Sequence, residues 1–248
     1  MRRVRRVALA PDLHTYLHDK QQEIDSARAQ EEKPDITSKW KSARQTKAMG
    51  EVLATLQSMM DKRGRCMYCV DSHGCDIEHF RPKSPFPEWM FQWDNLLLCC
   101  TECGRFKGSQ FPLHDEQPLL IDPCVEEPWD YLDFEIETGR MSARFILQRN
   151  DYSNKGLKTV EILQLDRREG LAESYKRSYK RIQQCISNHL ETPFATPDDL
   201  VGHLLEADDH GLLGWCFKGT GQNDAPFSTL KTQHPDVWQE CVKAFTYC

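Results

Sequence analysis

The chain has 248 residues, of which 28% are charged, and a formal net charge of −6. This length allows one large domain or two small ones, with a core that needs no disulfides. The negative charge argues against a protein whose whole surface binds nucleic acid, because such surfaces are basic. Charge is uneven, however: residues 108–139 hold nine acids and no Lys or Arg. This acidic flank is either ordinary solubilising surface or a face that contacts a basic partner or restricts which nucleic acid enters.

Cysteine usage and the termini bear on the compartment. There are 11 cysteines, an odd number, and the basic N-terminus is followed by an apolar run of only four residues, Val7–Ala10. A run this short does not resemble a signal peptide, and no stretch approaches the length of a membrane span. We therefore expect a cytoplasmic protein without a membrane partner, whose thiols are reduced or bind metal.

Residues 1–64 are predicted to form an N-terminal helical segment. After an extended arm, Pro11 opens a helix that ends before Pro34, and a second helix starts near Asp35 and is stopped by Gly64. The second helix carries apolar residues at a spacing of three and four, which is typical of core packing. These residues are Met49, Val52, Leu53, Leu56, Met59 and Met60.

Residues 65–123 are predicted to form a compact core of short elements. A turn-rich knuckle is followed by a strand, an irregular loop, a buried strand, a short helix and a third strand. Their predicted bounds are Cys66–Cys75, Ile77–Phe80, Pro82–Trp93, Leu96–Leu98, Thr101–Lys107 and Leu119–Pro123.

Residues 124–248 are predicted to be mainly helical. A hairpin is expected first, with strands Phe134–Ile136 and Ala143–Leu147, and then a helical stretch from 154 to 189 that breaks near Gly170. This stretch has more apolar residues than one buried stripe requires. The excess either serves docking of a partner or completes the core of the monomer.

Two CxxC pairs, separated by 30 residues, predict one structural Zn²⁺ site. Two residues between cysteines allow both sulfurs to reach one ion from a tight turn. The predicted ligands are Cys66, Cys69, Cys100 and Cys103.

Between the cysteine pairs lie Glu78, His79 and Asn95. A neutral imidazole can take a proton from water near physiological pH, and a carboxylate can hold a hard divalent cation. Adjacent residues on a regular strand face opposite ways, so Glu78 and His79 can act together only at a strand end or bulge. Asn95 is expected to brace the loop by side-chain hydrogen bonds, or else is a simple turn former.

The segments Asp76–Ser84 and Trp93–Cys100, together with the cysteine pairs, resemble HNH endonucleases of the zinc-containing ββα-metal type. More narrowly they are similar to the HNH subunits of Septu-type and retron-associated anti-phage systems, which work with an ATPase partner. The segments Leu119–Pro123 and Thr159–Asp166 also resemble the corresponding parts of these subunits. The specific part of the resemblance covers residues 66–123. It implies an α+β protein in which a ββα-metal zinc finger is embedded between N-terminal and C-terminal helices.

The resemblance implies that His79 is the general base, Glu78 a contact of a catalytic Mg²⁺ or Mn²⁺ ion, and Asn95 the middle Asn of the motif. The family's third position directly follows the last CxxC. Here that position is Gly104, which has no side chain and leaves the divalent-metal site one ligand short.

The implied reaction is hydrolysis of DNA, or of RNA, with basic side chains neutralising backbone phosphates. Those side chains would be Arg81, Lys83, Arg105 and Lys107. The ATPase of the same defence system would be the partner, and residues 124–248 would supply most of the contact surface. The alternative interpretation is a non-catalytic zinc module that docks on nucleic acid or protein, which the glycine at position 104 favours.

Overall fold

The computed structural model describes residues 1–31, 33–60, 63–192 and 196–245, and it has a mixed α+β architecture. The helices of these ranges are α1 (Pro11–Ala29), α2 (Ile36–Arg44), α3 (Lys47–Ser58), α4 (Thr101–Lys107), α5 (Asn154–Leu163), α6 (Glu169–Glu191), α7 (Pro197–Ala207), α8 (Leu213–Lys218), α9 (Phe227–Gln233) and α10 (Pro235–Ala244). The strands are β1 (Asp76–His79), β2 (Leu96–Cys99), β3 (Leu113–His114), β4 (Gln117–Pro118), β5 (Leu132–Glu135), β6 (Arg140–Ala143), β7 (Phe145–Ile146) and β8 (Asp151–Tyr152).

The strands form four separate antiparallel pairs, each joining strands that are consecutive in the chain. By its internal contacts the chain divides into two compact units. The motif unit comprises Arg5–Met67 and Ser72–Phe111, and the C-terminal unit comprises Met1–Val4, Tyr68–Asp71 and Pro112–Cys248. The three-part division predicted from the sequence stays a prediction.

In the motif unit, the single helix predicted to follow Asp35 is two helices. The break falls at Gln45 and Thr46, because the Thr46 hydroxyl accepts a hydrogen bond from the Met49 amide and caps a new helix, α3. The predicted end of the helix includes positions 61 and 62, which lie outside the described residues. The apolar stripe is confirmed as core, since Met49, Val52 and Leu56 are fully buried.

The predicted strand–loop–strand–helix order is confirmed within one residue at each end. Strand β1 pairs with β2 in a register that sets Glu78 opposite Leu97 and His79 opposite Leu96. Helix α4 follows β2 after a single residue and contacts β1. All four residues of β2 are buried, whereas β1 alternates between half-exposed and buried.

In the C-terminal unit, the predicted hairpin is present as β5 and β6, whose strands begin two and three residues earlier in the chain than predicted. Gly139 takes φ +76° at the turn, and a Cβ there would lie 2.3 Å from the Ala172 carbonyl oxygen, so the position requires glycine. The helical stretch breaks at Gln164, which is left-handed, rather than at Gly170, which lies inside α6. The core is aromatic and includes Phe134, Tyr175, Tyr179, Trp215 and Phe227.

The strand predicted for Leu119–Pro123 is wrong. Leu120 and Ile121 are buried as that prediction requires, but their backbone has no neighbouring strand among the described residues. The Ile121 amide instead donates to the Thr159 hydroxyl of α5 at 3.0 Å, and the Asp122 carboxylate accepts from the Cys124 amide. A side chain thus satisfies this buried backbone, a contact that apolar pattern alone does not reveal.

Candidate functional site

The four predicted zinc ligands meet in one buried cluster. The sulfurs of Cys66, Cys69, Cys100 and Cys103 all lie within 4.8 Å of one another. A tetrahedral Zn²⁺ with Zn–S bonds of about 2.3 Å sets its sulfurs roughly 3.8 Å apart, so this donor set fits a four-thiolate zinc ion. Cys100 also caps helix α4, because its sulfur accepts from the Cys103 amide. The cluster could therefore bind a metal such as zinc and would hold the start of α4 against the knuckle.

His79 is the last residue of β1 and is only 3% exposed. Its ring packs edge-on against Trp40 of α2, with centroids 4.2 Å apart. Burial, reinforced by the charge of Lys83, lowers the pKa of His79 to about 3, so the imidazole is neutral at physiological pH. Its Nε2 lies 3.0 Å from the Met90 carbonyl oxygen, which can only accept. Nε2 therefore carries the hydrogen, and Nδ1 is the nitrogen with an available lone pair.

Glu78 lies one residue before His79 and faces helix α4. Its Oε1 accepts from the Lys107 ammonium at 3.1 Å and from the His79 amide at 2.9 Å. Its Oε2 faces Gly104, where an added Cβ would lie 3.4 Å away. Glu78 therefore lies next to Gly104, the third position of the motif. Glycine has no side chain, so it adds no second metal ligand beside the Glu78 carboxylate.

Asn95 is held as a brace, as predicted from its position before β2. Its Oδ1 accepts from the Arg81 amide at 2.7 Å, and its Nδ2 donates to the carbonyl oxygens of Arg81 and Trp89. Its own carbonyl accepts from the Phe80 amide. The side chain thereby ties both ends of the loop between β1 and β2, and all its polar atoms point at backbone.

The residues of this site do not make a resident site for Mg²⁺ or Mn²⁺. The bonds to Lys107 and to the His79 amide engage Glu78 Oε1 and not Oε2, the Asn95 oxygen is engaged by the Arg81 amide, and Gly104 has no side chain to add a ligand. Among the described residues, the cysteine cluster is the one group of three or more His, Cys, Asp or Glu ligands close enough to hold a metal. The catalytic cation predicted from the resemblance stays a prediction.

The four basic residues predicted to meet phosphates differ in exposure. Arg105 is exposed and Lys83 is half-exposed. Arg81 stacks over the Trp89 ring at 4.7 Å and lies 5.6 Å from the Phe111 ring. Lys107 is fully buried, and its Nζ donates to Glu78 and to the His79 carbonyl oxygen at 2.7 Å. Lys107 therefore joins α4 to β1 inside the protein, and its ammonium is not exposed for contact with a phosphate.

Sequence reasoning missed the contribution of α2 to this site. Trp40 covers His79, and Arg44 pairs with Asp76 at 2.6 Å. These residues lie more than 30 positions before the motif, and no local pattern links them to it. The signal that could have found them is the cluster Trp40-Lys41-Arg44 on one short helix, which carries two cations and an indole within five residues.

No model of a known protein family matches the chain. Over 113 residues it is 29% identical to Septu protein PtuB of Bacillus thuringiensis, an alignment that covers 43% of this chain and 38% of that protein. Over 134 residues it is 29% identical to Septu protein PtuA of Bacillus mycoides (strain KBAB4), covering 42% of this chain and 18% of that protein. The similarity to Septu proteins thus spans less than two fifths of either relative. Every helix in the described ranges is too short or too polar to span a lipid bilayer.

Proposed function

We propose that this chain is an endonuclease of the HNH type, acting as the effector of a Septu-type anti-phage defence system with an ATPase partner. One observation carries the proposal: an oriented histidine ends the first strand of a β-hairpin that is followed by a helix, and the cysteine pair before the hairpin meets the pair at the start of the helix in one cluster. The similarity to Septu proteins supports the defence role. The order of hairpin, helix and cysteine pairs is what a ββα-metal finger requires.

The proposed reaction uses His79 Nδ1 as general base. Nδ1 takes a proton from a water molecule, the resulting oxygen nucleophile attacks the phosphorus, and the bond from phosphorus to the leaving oxygen breaks, after which that oxygen takes a proton from solvent. The backbone hydrogen bond to Met90 keeps Nε2 protonated, so the base function stays with Nδ1. Negative charge that develops on the phosphate would be offset by cations near His79, among them Lys83 and Arg44.

A second candidate function is the non-catalytic zinc module that docks on nucleic acid or protein. The arrangement around Glu78 favours it, because Lys107 occupies one carboxylate oxygen and Gly104 offers no ligand beside the other. The two functions differ in one observable, since a docking module binds nucleic acid or partner without breaking a phosphodiester bond.

Purified protein should be incubated with DNA and with RNA, both alone and together with the ATPase encoded by the neighbouring gene. Each mixture should be tested with Mg²⁺, with Mn²⁺ and with a chelator. The endonuclease proposal predicts strand cleavage under at least one of these conditions. Binding without cleavage under all of them would overturn it and leave the docking module. The comparison of cations with chelator tests the predicted Mg²⁺ or Mn²⁺ dependence separately.

The partner surface is proposed to lie in the C-terminal unit. Phe145 and Tyr152 pair across β7 and β8 with ring centroids 5.2 Å apart, and both are exposed. Leu147, in the same hairpin, is 81% exposed. Contiguous exposed apolar side chains are typical of protein interfaces. Leu147→Glu should weaken co-purification with the ATPase, whereas Leu205→Glu, at an exposed leucine of α7, should not. Equal retention of the ATPase by both variants would place the interface elsewhere.

A further inference from the structure

A basic cavity lies beside His79 and is not explained by the motif. It has a volume of about 390 Å³, within the range of ~300–1,000 Å³ that is typical of ligand sites. Its lining comes from α2, from the residue that follows it and from the turn after β1. The lining residues are Thr37, Trp40, Lys41, Arg44, Gln45 and Lys83.

The charge of this cavity points to an anionic ligand. Three of the six lining side chains are cationic and none is acidic. Arg44 pairs with Asp76, and both side chains remain 40% exposed. Within the described ranges, no carboxylate lies at ion-pair distance from Lys41 or Lys83. Two ammonium groups that form no ion pair with a described carboxylate thus face a concave space, which is the arrangement that favours phosphate.

The position of the cavity ties it to the candidate base. Trp40 forms its wall and also contacts the His79 ring. Lys83 lies four residues after His79 in the turn that leaves β1. Lys83 and Arg44 line the same cavity as Trp40, whose ring contacts that of His79. A ligand in the cavity would therefore lie close to the phosphodiester whose attacking water His79 would deprotonate.

We propose that this α2 cavity binds a backbone phosphate of the nucleic acid. This phosphate is the one next to the scissile phosphate on the same strand. Lys41, Lys83 and Arg44 provide the charge, and Thr37 and Gln45 provide hydrogen-bonding groups. The site rests on the proposed function for its substrate class, and it assigns α2, outside the finger, to substrate binding. Because phosphate contacts are independent of base identity, the site provides affinity and strand position without sequence preference.

The test is the salt dependence of oligonucleotide binding by the full chain, measured by fluorescence anisotropy, with a gel to confirm that the oligonucleotide stays intact. Lys41→Gln and Lys83→Gln should each lower the affinity about fivefold at 0.15 M salt and reduce the slope of log K against log salt by roughly 0.7–0.9, the effect of losing one phosphate contact. The matched control is Lys39→Gln, an exposed lysine of the same helix that lies 3.7 Å from Glu23. It should leave the slope within error of the wild type.

Slopes of Lys41→Gln and Lys83→Gln equal to that of Lys39→Gln would overturn the site. A second arm measures competition by free AMP and by inorganic phosphate. If free nucleotide binds in a Lys41-dependent way while the oligonucleotide does not, the cavity is a nucleotide site and the proposal is wrong. Binding and cleavage are separate readouts: a changed slope without cleavage in any variant supports the site and contradicts the nuclease. Cleavage of nucleic acid together with unchanged salt slopes for Lys41→Gln and Lys83→Gln would support the nuclease proposal and contradict the phosphate site.

Discussion

At the scale of single residues, Lys107 is the side chain whose environment departs most from expectation. Burial lowers the pKa of its ammonium, and the Glu78 carboxylate opposes that effect. The ammonium also donates to the His79 carbonyl oxygen, so one buried cation connects α4 with both residues of the Glu-His pair. A buried charge is tolerated only when it is paired and hydrogen-bonded, as this one is. We infer that Lys107 fixes the orientation of the motif.

Lys107→Met tests this. The variant keeps the aliphatic stem but leaves Glu78 Oε1 without its cation and the His79 carbonyl without a donor. An unsatisfied buried polar group costs about 1–3 kcal/mol, and we expect a loss of unfolding free energy in that range, measured by urea denaturation. Lys47→Met is the control, because Lys47 is 92% exposed and should change stability by less than about 0.5 kcal/mol. Equal stability of the two variants would contradict the linking role.

The buried state of His79 predicts how the free energy of unfolding depends on pH. Its pKa is about 3 in the folded protein, against an ordinary value of 6.5, so the unfolded chain binds a proton at a pH where the folded chain does not. Stability therefore falls as the pH drops from about 6.5 toward 3, by up to ~1.4 kcal/mol per pH unit from this group. Urea midpoints at several pH values should show a smaller decline for His79→Gln than for the wild type. His14→Gln, at an exposed histidine of α1, should keep the wild-type decline, and an identical decline in all three proteins would contradict the buried neutral state.

At the scale of elements, the start of α4 depends on the cysteine cluster. Cys100 caps the helix and Cys103 lies in its first turn, so a zinc ion bound to them would fix the helix relative to the knuckle. Because β1, β2 and α4 are short elements, we expect this arrangement to depend on such a ligand.

Metal removal tests this dependence. Purified protein should contain about one zinc per chain, and a strong chelator should release it with a loss of helical circular dichroism. Cys103→Ser should lose zinc affinity. Cys75→Ser should retain it, because Cys75 is exposed and lies outside the cluster. Protein that keeps its full spectrum after complete zinc removal would show that the cluster is not structural.

Local chemistry explains which elements the sequence could predict. The bounds predicted for α4 are correct to the residue, and the apolar triplet predicted β2, which extends one residue further to Cys99. The prediction failed at Leu119–Pro123 because a distant group decides: Thr159 of α5 satisfies the Ile121 amide. The helix after Asp35 divides for a local reason, the Thr46 cap of a new start, which the apolar stripe alone did not reveal. At the site, the burial of His79 depends on Trp40, which lies 39 residues earlier and carries no pattern that connects it to the motif.

At the scale of the whole molecule, the chain combines a motif unit that holds the candidate active site with a larger C-terminal unit that carries exposed apolar side chains. The net charge of −6 is unevenly distributed: basic residues cluster around the motif, and acidic residues lie in the flank over residues 108–139. Both ordinary solubilisation and contact with a basic partner account for that flank. The proposed division of labour is that the motif unit meets the nucleic acid and the C-terminal unit meets the ATPase.

The central claim is that His79 acts as the base in phosphodiester cleavage. The most direct test compares the cleavage rate of zinc-replete His79→Ala with those of the wild type and His14→Ala, each in complex with the ATPase if the complex is the active form. Loss of general-base catalysis costs on the order of 10²–10⁴-fold in rate, so His79→Ala should fall by at least 10²-fold while His14→Ala keeps the wild-type rate. Undiminished cleavage by zinc-replete His79→Ala would contradict the account.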